Sequence, residues 1–256
     1  MVLPFTVLGL WQLACAVHAV PTALLPPPSV VIQALAEWAG LGSARDALFF
    51  RGTLLADIGA TLLRVTLGFV AASVVGISVG TAMGVSRTIE AVFNPALRII
   101  GPVPPITFIP VVIVILGIGE RAVVFLTFLG AAIPITAATA TAVSGVGRDL
   151  IRAGRMMGRR GLRLILGIVL PAAFPNIVGG MRLGLGLSWM MAVTAEMLAV
   201  HSGLGYMLWN SYNYLVYPGV FAGMVVIGVC GLSTDLLLRA ATRRQLRWHR
   251  DTGVRS

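Results

Sequence analysis

The sequence contains no lysine, only two cysteines and few charged residues of any kind. Charged residues make up 11% of its 256 residues and hydrophobic residues 57%, whereas roughly a quarter of a water-soluble domain is charged. The scarcity of charge excludes a soluble enzyme, a disordered segment and a fibre. The composition predicts a polytopic helical membrane protein, long enough for about six spans of ~20 residues.

Chemical motifs are also scarce. Cys15 and Cys230 lie in separate apolar runs, without the spacing of a metal site or a disulfide framework. Without lysine there is no Gly-x-x-x-x-Gly-Lys-[Ser/Thr] loop for nucleotide phosphates. The nine carboxylates and three histidines are scattered, unlike the clustered groups of a membrane-embedded enzyme. The sequence predicts transport rather than catalysis.

Apolar runs of membrane-spanning length recur along the chain. Within the second run, Gly68, Gly76, Gly80 and Gly84 form one smooth stripe, which favours close helix packing in lipid. Before it, a proline-rich break precedes residues 29–39, which suit a short amphipathic helix at the interface. The six predicted spans cover residues 3–20, 54–83, 99–117, 122–143, 177–200 and 216–238.

The arginines are distributed asymmetrically among the loops. Fourteen of the 19 lie in the loops at 84–98 and 144–176 or in the tail, against three (Arg45, Arg51 and Arg121) on the other side. Because basic loops stay in the cytoplasm, both termini are predicted to be cytoplasmic. The same pattern argues against nucleic-acid binding. The first run lacks a positively charged start, which favours an uncleaved helix over a signal peptide.

The loop at 144–176 contains a predicted amphipathic helix that ends at Gly158 and Gly161. Arginines occupy one face of this helix and small or apolar residues the other. Such a helix either rests on lipid head groups or docks on a cytoplasmic partner. Ala153 and Gly154, at the centre of the apolar face, favour docking because they let a partner surface approach closely.

The same residues carry a resemblance to a known family. Ala153-Gly154-x-x-x-Gly158, followed by Leu170-Pro171, resembles the EAA loop of ABC-importer permeases of the nitrate, sulfonate, taurine and bicarbonate group. Arg152 stands where that motif usually has Glu, so we expect an acidic or neutral residue opposite it on the partner. Seven further motifs resemble this group in the same order: Leu25-Pro26-Pro27-Pro28, Thr61-Leu62-Leu63-Arg64-Val65-x-x-Gly68-Phe69, Pro102-x-Pro104, Gly117-Ile118-Gly119-Glu120, Gly180-Met181-Arg182-Leu183-Gly184, Ala195-Glu196-Met197 and Gly203-Leu204-Gly205-Tyr206.

The resemblance implies an all-α, six-helix permease of the type I ABC-importer architecture in a bacterial inner membrane. It implies one permease domain over residues 1–256, with a five-helix core at about 54–240, a coupling loop at about 144–176 and a basic tail at 241–256. The residues implied in coupling to the ATPase are Leu150, Arg152, Ala153, Gly154, Met157, Gly158 and Pro171.

The implied partners are two ABC ATPase subunits, an extracytoplasmic solute-binding protein and a second permease copy. ATP and Mg²⁺ would be bound by the ATPases, and no cofactor is expected in this chain. The implied cargo is a small solute, such as nitrate, bicarbonate, taurine or a sulfonate. A secondary transporter or channel is the alternative, although no inverted repeat is evident.

Polar residues inside the spans are candidates for a translocation path or gate. The alternative for the hydroxyl residues is hydrogen bonding to their own helices, and for Glu196 a cap on the 203–206 turn. Arg64 and Arg182 either snorkel or pair with Asp57 or Glu196. Segment 201–215 is either an aromatic interfacial turn or a dipping loop. The path candidates are Arg64, Thr136, Thr139, Ser188, Thr194 and Glu196.

Overall fold

The computed structural model describes residues 25–41 and 50–243, together with Thr6, Gly9, Trp11, Gln12 and Cys15. The described residues form helices joined by short turns, and no strand occurs among them. This confirms the all-α fold class. The helices are α1 (Pro28–Trp38), α2 (Leu54–Val85), α3 (Arg87–Ile100), α4 (Ile109–Leu116), α5 (Glu120–Ser144), α6 (Arg148–Met156), α7 (Leu162–Ala199), α8 (Leu204–Asn213) and α9 (Tyr217–Arg243).

The chain divides into two compact units. The first unit comprises Met1–Leu63 and Val193–Gly231, and the second comprises Arg64–Ala192 and Leu232–Ser256. Their boundaries fall inside long helices, because α2, α7 and α9 each contribute residues to both units. The single permease domain expected from the sequence stays a prediction.

Within the part of the chain that the structure describes, four helices, α2, α5, α7 and α9, are long and apolar enough to cross a membrane. A fifth crossing results if α3 and the segment Pro105–Leu116, which are bent by 92°, form one broken span. The predicted run at 99–117 is thus interrupted near its start, because prolines in 102–105 cannot donate backbone hydrogen bonds and end the preceding helix. The predicted span at 3–20 lies outside the described residues, apart from the five positions named above.

Glycines set the packing of the second unit. A Cβ atom at Gly80 would lie 2.7 Å from the Thr139 Cβ, and one at Gly68 would lie 2.7 Å from the Thr127 Cβ. Only a residue without a side chain lets α2 approach α5 this closely. Gly184 of α7 likewise faces Ile135 of α5, where a Cβ would be 2.8 Å from its Cγ1. The predicted glycine stripe is confirmed.

The region at 144–176 is more helical than the sequence suggested. After α6, helix α7 already begins at Leu162, whereas the predicted span begins at residue 177. A π-helical turn at Ile165–Val169 precedes Pro171. Because proline lacks an N–H group, the wider turn accommodates Pro171 without interrupting the helix. The predicted loop is thus a short helix followed by the first turns of a long one.

The first unit contains the short helices α1 and α8. The predicted helix at 29–39 is confirmed as α1, whose Val31 and Ala34 pack with Ala222 of α9. Segment 201–215, predicted as a turn or loop, is mostly the helix α8. This helix presents Tyr212 to its surface, with the ring stacked at 5.7 Å from that of Trp209.

Candidate functional site

Helix α6 has a well-defined carboxyl end. Gly158 has a φ of +78°, the left-handed conformation that glycine adopts most readily. Its backbone nitrogen donates to the Arg155 carbonyl at 3.0 Å, and that of Arg159 donates to the Gly154 carbonyl at 3.1 Å. These two bonds form a Schellman motif. They stop the helix after nine residues and fix its length, as the two glycines predicted.

Gly154 lies on the inner face of α6, inside the second unit. A Cβ at this position would collide with Ile168 and would lie 2.8 Å from the Leu164 Cδ1. The small residue therefore lets α6 pack on the start of α7. The sequence suggested that the small size of Gly154 allows close approach of a partner protein. The structure corrects this reason, because the surface that approaches Gly154 belongs to α7 of the same chain.

The outer face of α6 is open. Ala153 is exposed there, and the side chains of Met156 and Met157 are 87% and 71% exposed. Leu150 is also exposed, and Arg152 makes only a 3.7 Å contact with the exposed Asp149. An apolar strip edged by arginines is thus held on a short, capped helix.

Glu196 is fully buried in the first unit and caps α8. Its Oε2 accepts hydrogen bonds from the Gly205 backbone nitrogen at 3.0 Å and the Thr61 hydroxyl at 2.9 Å. The Thr61 oxygen in turn accepts a bond from the Leu204 nitrogen at 2.9 Å. The N–H groups at the start of a helix have no partner within the helix. The predicted cap is present, and a gating role for Glu196 stays a prediction.

Asp57 extends this network. Its Oδ1 accepts a bond from the Gly203 nitrogen at 3.0 Å. Its Oδ2 accepts from the Thr53 hydroxyl at 2.7 Å and from the indole of the fully buried Trp38 at 3.2 Å. Three consecutive backbone donors of the 203–205 turn are therefore bound by side chains of α2 and α7. No sequence motif marked Asp57 and Trp38 as partners, because 19 residues separate them.

Arg64 is buried in the second unit and forms an ion pair with Glu120 at the start of α5. The Arg64 Nε donates to Glu120 Oε2 at 2.6 Å, and one Nη donates to Oε1. Only 2% of the Arg64 side chain is exposed, against 65% for Glu120. The pair fixes the turn before α5 to α2. The sequence placed Glu120 in a motif without identifying this partner.

Arg182 of α7 pairs with Asp235 of α9. The Arg182 Nε lies 2.8 Å from Asp235 Oδ1, and Arg239 binds the other carboxylate oxygen at 2.8 Å. The pairing of Arg182 with Asp57 or Glu196 that the sequence suggested is therefore wrong. The carboxylate of Asp235 on the neighbouring helix pairs with Arg182 instead.

Two of the hydroxyl residues proposed for the path bond to backbone. Thr136 donates to the Ala132 carbonyl of its own helix at 2.6 Å, and Ser188 reaches the Thr127 carbonyl at 3.4 Å. The Thr139 hydroxyl is buried without a hydrogen-bond partner among the described residues. Thr194 is partly buried in α7. A path role for these residues stays a prediction.

Two cavities flank the carboxyl half of α5. The larger, about 660 Å³, is mostly apolar, with Asn176 of α7 among its lining residues. The smaller, about 330 Å³, lies between α5, the end of α2 and the polar face of α3. Ala137 and Thr141 line both, whereas Thr136 and Thr139 line neither. The sequence did not identify this face of α5 as lining open space, since alanine and threonine in a span carry no strong signal.

The described part of the chain contains no group of three or more His, Cys, Asp or Glu residues that could hold a metal ion. The polar groups instead fix helices to one another, as in the capped α8 and the two ion pairs. The exposed α6 and the two cavities remain as surfaces open to a partner or a solute.

Comparisons with known proteins assign this arrangement to a family. The family model for "binding-protein-dependent transport system inner membrane component" matches residues 53–247. The taurine transport system permease protein TauC of Escherichia coli (strain K12) is 34% identical over 94% of this chain and 86% of its own length. The nitrate import permease protein NrtB of Leptolyngbya laminosa is 30% identical over 91% of this chain and 82% of its own.

A solved structure has a similar fold. An inward-facing structure of the MetNI methionine ABC transporter matches with a TM-score of 0.56 and 22% identity, over 73% of this chain and 95% of the matched chain. This likeness supports the type I importer fold. Together with the family match, it identifies the chain as a multi-pass inner-membrane ABC transport permease, a member of the binding-protein-dependent transport system family.

Proposed function

We propose that this chain forms the translocation path of an ATP-driven importer for a small solute delivered by a solute-binding protein. The permease would work as a pair of copies bound to two ABC ATPase subunits, which bind ATP and Mg²⁺. Relatives named for taurine, aliphatic sulfonates and nitrate support a small oxyanion or a sulfonate as cargo. With α6 on the ATPase side, both termini would be cytoplasmic.

The observation that carries this proposal is the exposed outer face of α6. Met and Arg are enriched in protein interfaces, and Met adapts its shape to a partner. Gly154 anchors the inner face on α7, so a push or pull on α6 would be transmitted to a long membrane helix. ATP-driven movement of the ATPases would thereby reorient the permease helices as packed bodies.

The alternative interpretation of α6 is an interfacial helix on lipid. The outer face does not suit that role well, because Ala153 lies beside the two methionines without a large aromatic anchor, and arginines edge the strip. Lipid-resting helices carry several Trp, Phe or Leu residues along their apolar face, whereas this face has Leu150 alone of these. A protein groove with acidic edges matches both the narrow apolar strip and the charge of Arg152, Arg155 and Arg159.

The test is reconstitution of the permease with its ATPases and binding protein in proteoliposomes. The proposal predicts uptake of taurine, a sulfonate or nitrate that requires ATP and binding protein, and that continues when ion gradients are collapsed. Uptake that follows an ion gradient without ATP would contradict the proposal and support a secondary transporter.

A further inference from the structure

We infer that the 330 Å³ cavity between α3, α5 and the end of α2 is a solute-contact site for a small zwitterion, with Arg98 holding its anionic group and Glu90 its cationic group. The inference rests on the proposed transport function and narrows its substrate class. The site is named the α3 cavity below. It is lined by Glu90, Asn94 and Arg98 of α3 and by Thr141 and Ser144 of α5, among others.

The polar lining lies on one face of α3. Glu90, Asn94 and Arg98 are spaced four residues apart, so they follow one another along the same side of the helix. The opposite side of α3 carries the exposed apolar residues Val92, Phe93 and Ile99. The polar face of α3 therefore lines the cavity, while Glu90 and Arg98 stay exposed and none of the residues of α3 is buried. A charged face that lines an open cavity is accessible to a solute, unlike a packed core.

The two charged residues of the α3 cavity do not form an ion pair with each other. Arg98 donates from Nε to the Asn94 Oδ1 at 3.2 Å, and it forms no ion pair with a carboxylate of the described residues. Glu90 likewise forms no ion pair within the described part of the chain. The bond to Asn94 draws the guanidinium one turn back along α3, which leaves about one further turn, roughly 5–6 Å, between it and the Glu90 position. The terminal nitrogens of Arg98 and the Asn94 amide are free to donate.

The opposite charges of Arg98 and Glu90 favour a ligand that carries both an anionic and a cationic group. A sulfonate or carboxylate accepts charge-assisted bonds from Arg98 and Asn94, and an ammonium donates to Glu90. Opposite groups separated by two or three carbon atoms match a spacing of about one helical turn. An inorganic anion such as nitrate satisfies Arg98 alone and leaves Glu90 facing a like charge. The α3 cavity thus fits an amino-sulfonate or a small amino acid better than a simple anion.

The experiment measures solute protection of a thiol in the α3 cavity. A Ser144→Cys variant, in a Cys15→Ala/Cys230→Ala background, is purified with its ATPases in lipid nanodiscs and labelled with a water-soluble methanethiosulfonate. The probes are taurine and isethionate (2-hydroxyethanesulfonate), which differ only in an ammonium against a hydroxyl group. We expect taurine to slow labelling of the thiol. The isethionate concentration that slows labelling equally should be about tenfold higher.

Charge variants then test the two residues. Arg98→Gln and Glu90→Gln should each raise the taurine concentration for half-protection by about tenfold. Glu90→Gln should also remove the difference between taurine and isethionate, whereas Arg87→Gln on the same helix should leave protection unchanged. The inference is overturned if taurine gives no protection, if isethionate protects equally in the parent, or if the variants behave like the Arg87 control.

The experiment distinguishes failure of this inference from failure of the proposed function. Stimulation of ATP hydrolysis by the binding protein is measured on the same samples, and its loss in the parent complex would count against the importer itself. Normal stimulation with no protection by taurine would overturn only the α3 cavity as a zwitterion site. Because labelling does not require the binding protein, its own selectivity does not enter the protection result.

Discussion

The buried carboxylate of Glu196 binds the backbone nitrogen of Gly205 at 3.0 Å and so holds the first turn of α8 in place. The bond joins residues nine positions apart, with the Thr61 hydroxyl on the same carboxylate oxygen. Glu196 therefore fixes the α8 turn within the first unit, whatever further part it has in transport.

Removing that carboxylate should destabilise the first unit. We expect Glu196→Ala to lower the free energy of unfolding by about 2 kcal/mol or more, because buried N–H and O–H donors lose their acceptor. Glu196→Gln, which keeps a carbonyl oxygen, should lose less. The measurement is the thermal unfolding midpoint of the purified permease complex. Equal midpoints for Glu196→Ala and wild type would show that the cap contributes nothing.

Helix packing through the glycine stripe gives a second prediction. At Gly80 an added methyl group would lie 2.6 Å from the Thr136 carbonyl oxygen. We expect Gly80→Ala to cost about 1–3 kcal/mol by forcing α2 away from α5. Gly59→Ala on the same helix has no atom within 4 Å and should be neutral or slightly stabilising, since alanine favours helix. Similar losses from both variants would refute the packing role of the stripe.

The ion pair between α7 and α9 gives a third prediction. Arg182→Met alone should destabilise the second unit by leaving Asp235 with Arg239 as its one arginine partner among the described residues, whereas Arg182→Met/Asp235→Leu should recover part of the loss. The coupling between the two positions is expected to be about 1 kcal/mol, because both side chains are partly exposed and the pair is screened. Thermal unfolding of the two single variants and the double variant measures it. Strictly additive effects would contradict direct pairing.

Much of the fold could be predicted from the sequence because apolar runs, glycine spacing and proline breaks act locally. The α6 helix with its Gly158 stop and the stripe of α2 are examples. The sequence did not predict that α7 extends back to Leu162, because an apolar segment beside a basic one suits a loop or a helix equally well. The 92° break near Pro102 likewise required the surrounding helices to decide its direction.

The site was less predictable because its contacts join distant positions. Arg64 meets Glu120 across 56 residues, and Arg182 meets Asp235 across 53. Nothing in a single sequence pairs such charges. Thr141, which lines both cavities, has the same local pattern as Thr136, which does not. Which face of α5 points to open space is set by the packing of α2 and α7 on its other sides.

The fourth prediction concerns two adjacent small residues of α6. Gly154 packs against α7, whereas Ala153 lies on the face proposed to bind the ATPase. Gly154→Leu should loosen α6 from Leu164 and Ile168 and lower the unfolding midpoint of the permease. Ala153→Leu, on the exposed face, should leave that midpoint unchanged and weaken ATPase binding by about tenfold or more through steric mismatch. The measurements are thermal unfolding of the permease alone and titration with the ATPase. Normal ATPase affinity of the Ala153 variant would argue that the outer face is not the contact.

The most direct test of the account is the accessibility of a thiol on the outer face of α6. A Met157→Cys variant in lipid nanodiscs is labelled with a water-soluble maleimide, with and without the ATPase subunits bound. The account predicts rapid labelling of the permease alone and strong protection once the ATPases are bound, while labelling of Asn213→Cys, at the exposed carboxyl end of α8, is unaffected by them. Equal labelling of Met157→Cys in both samples would contradict the claim that α6 docks on a separate ATP-hydrolysing subunit.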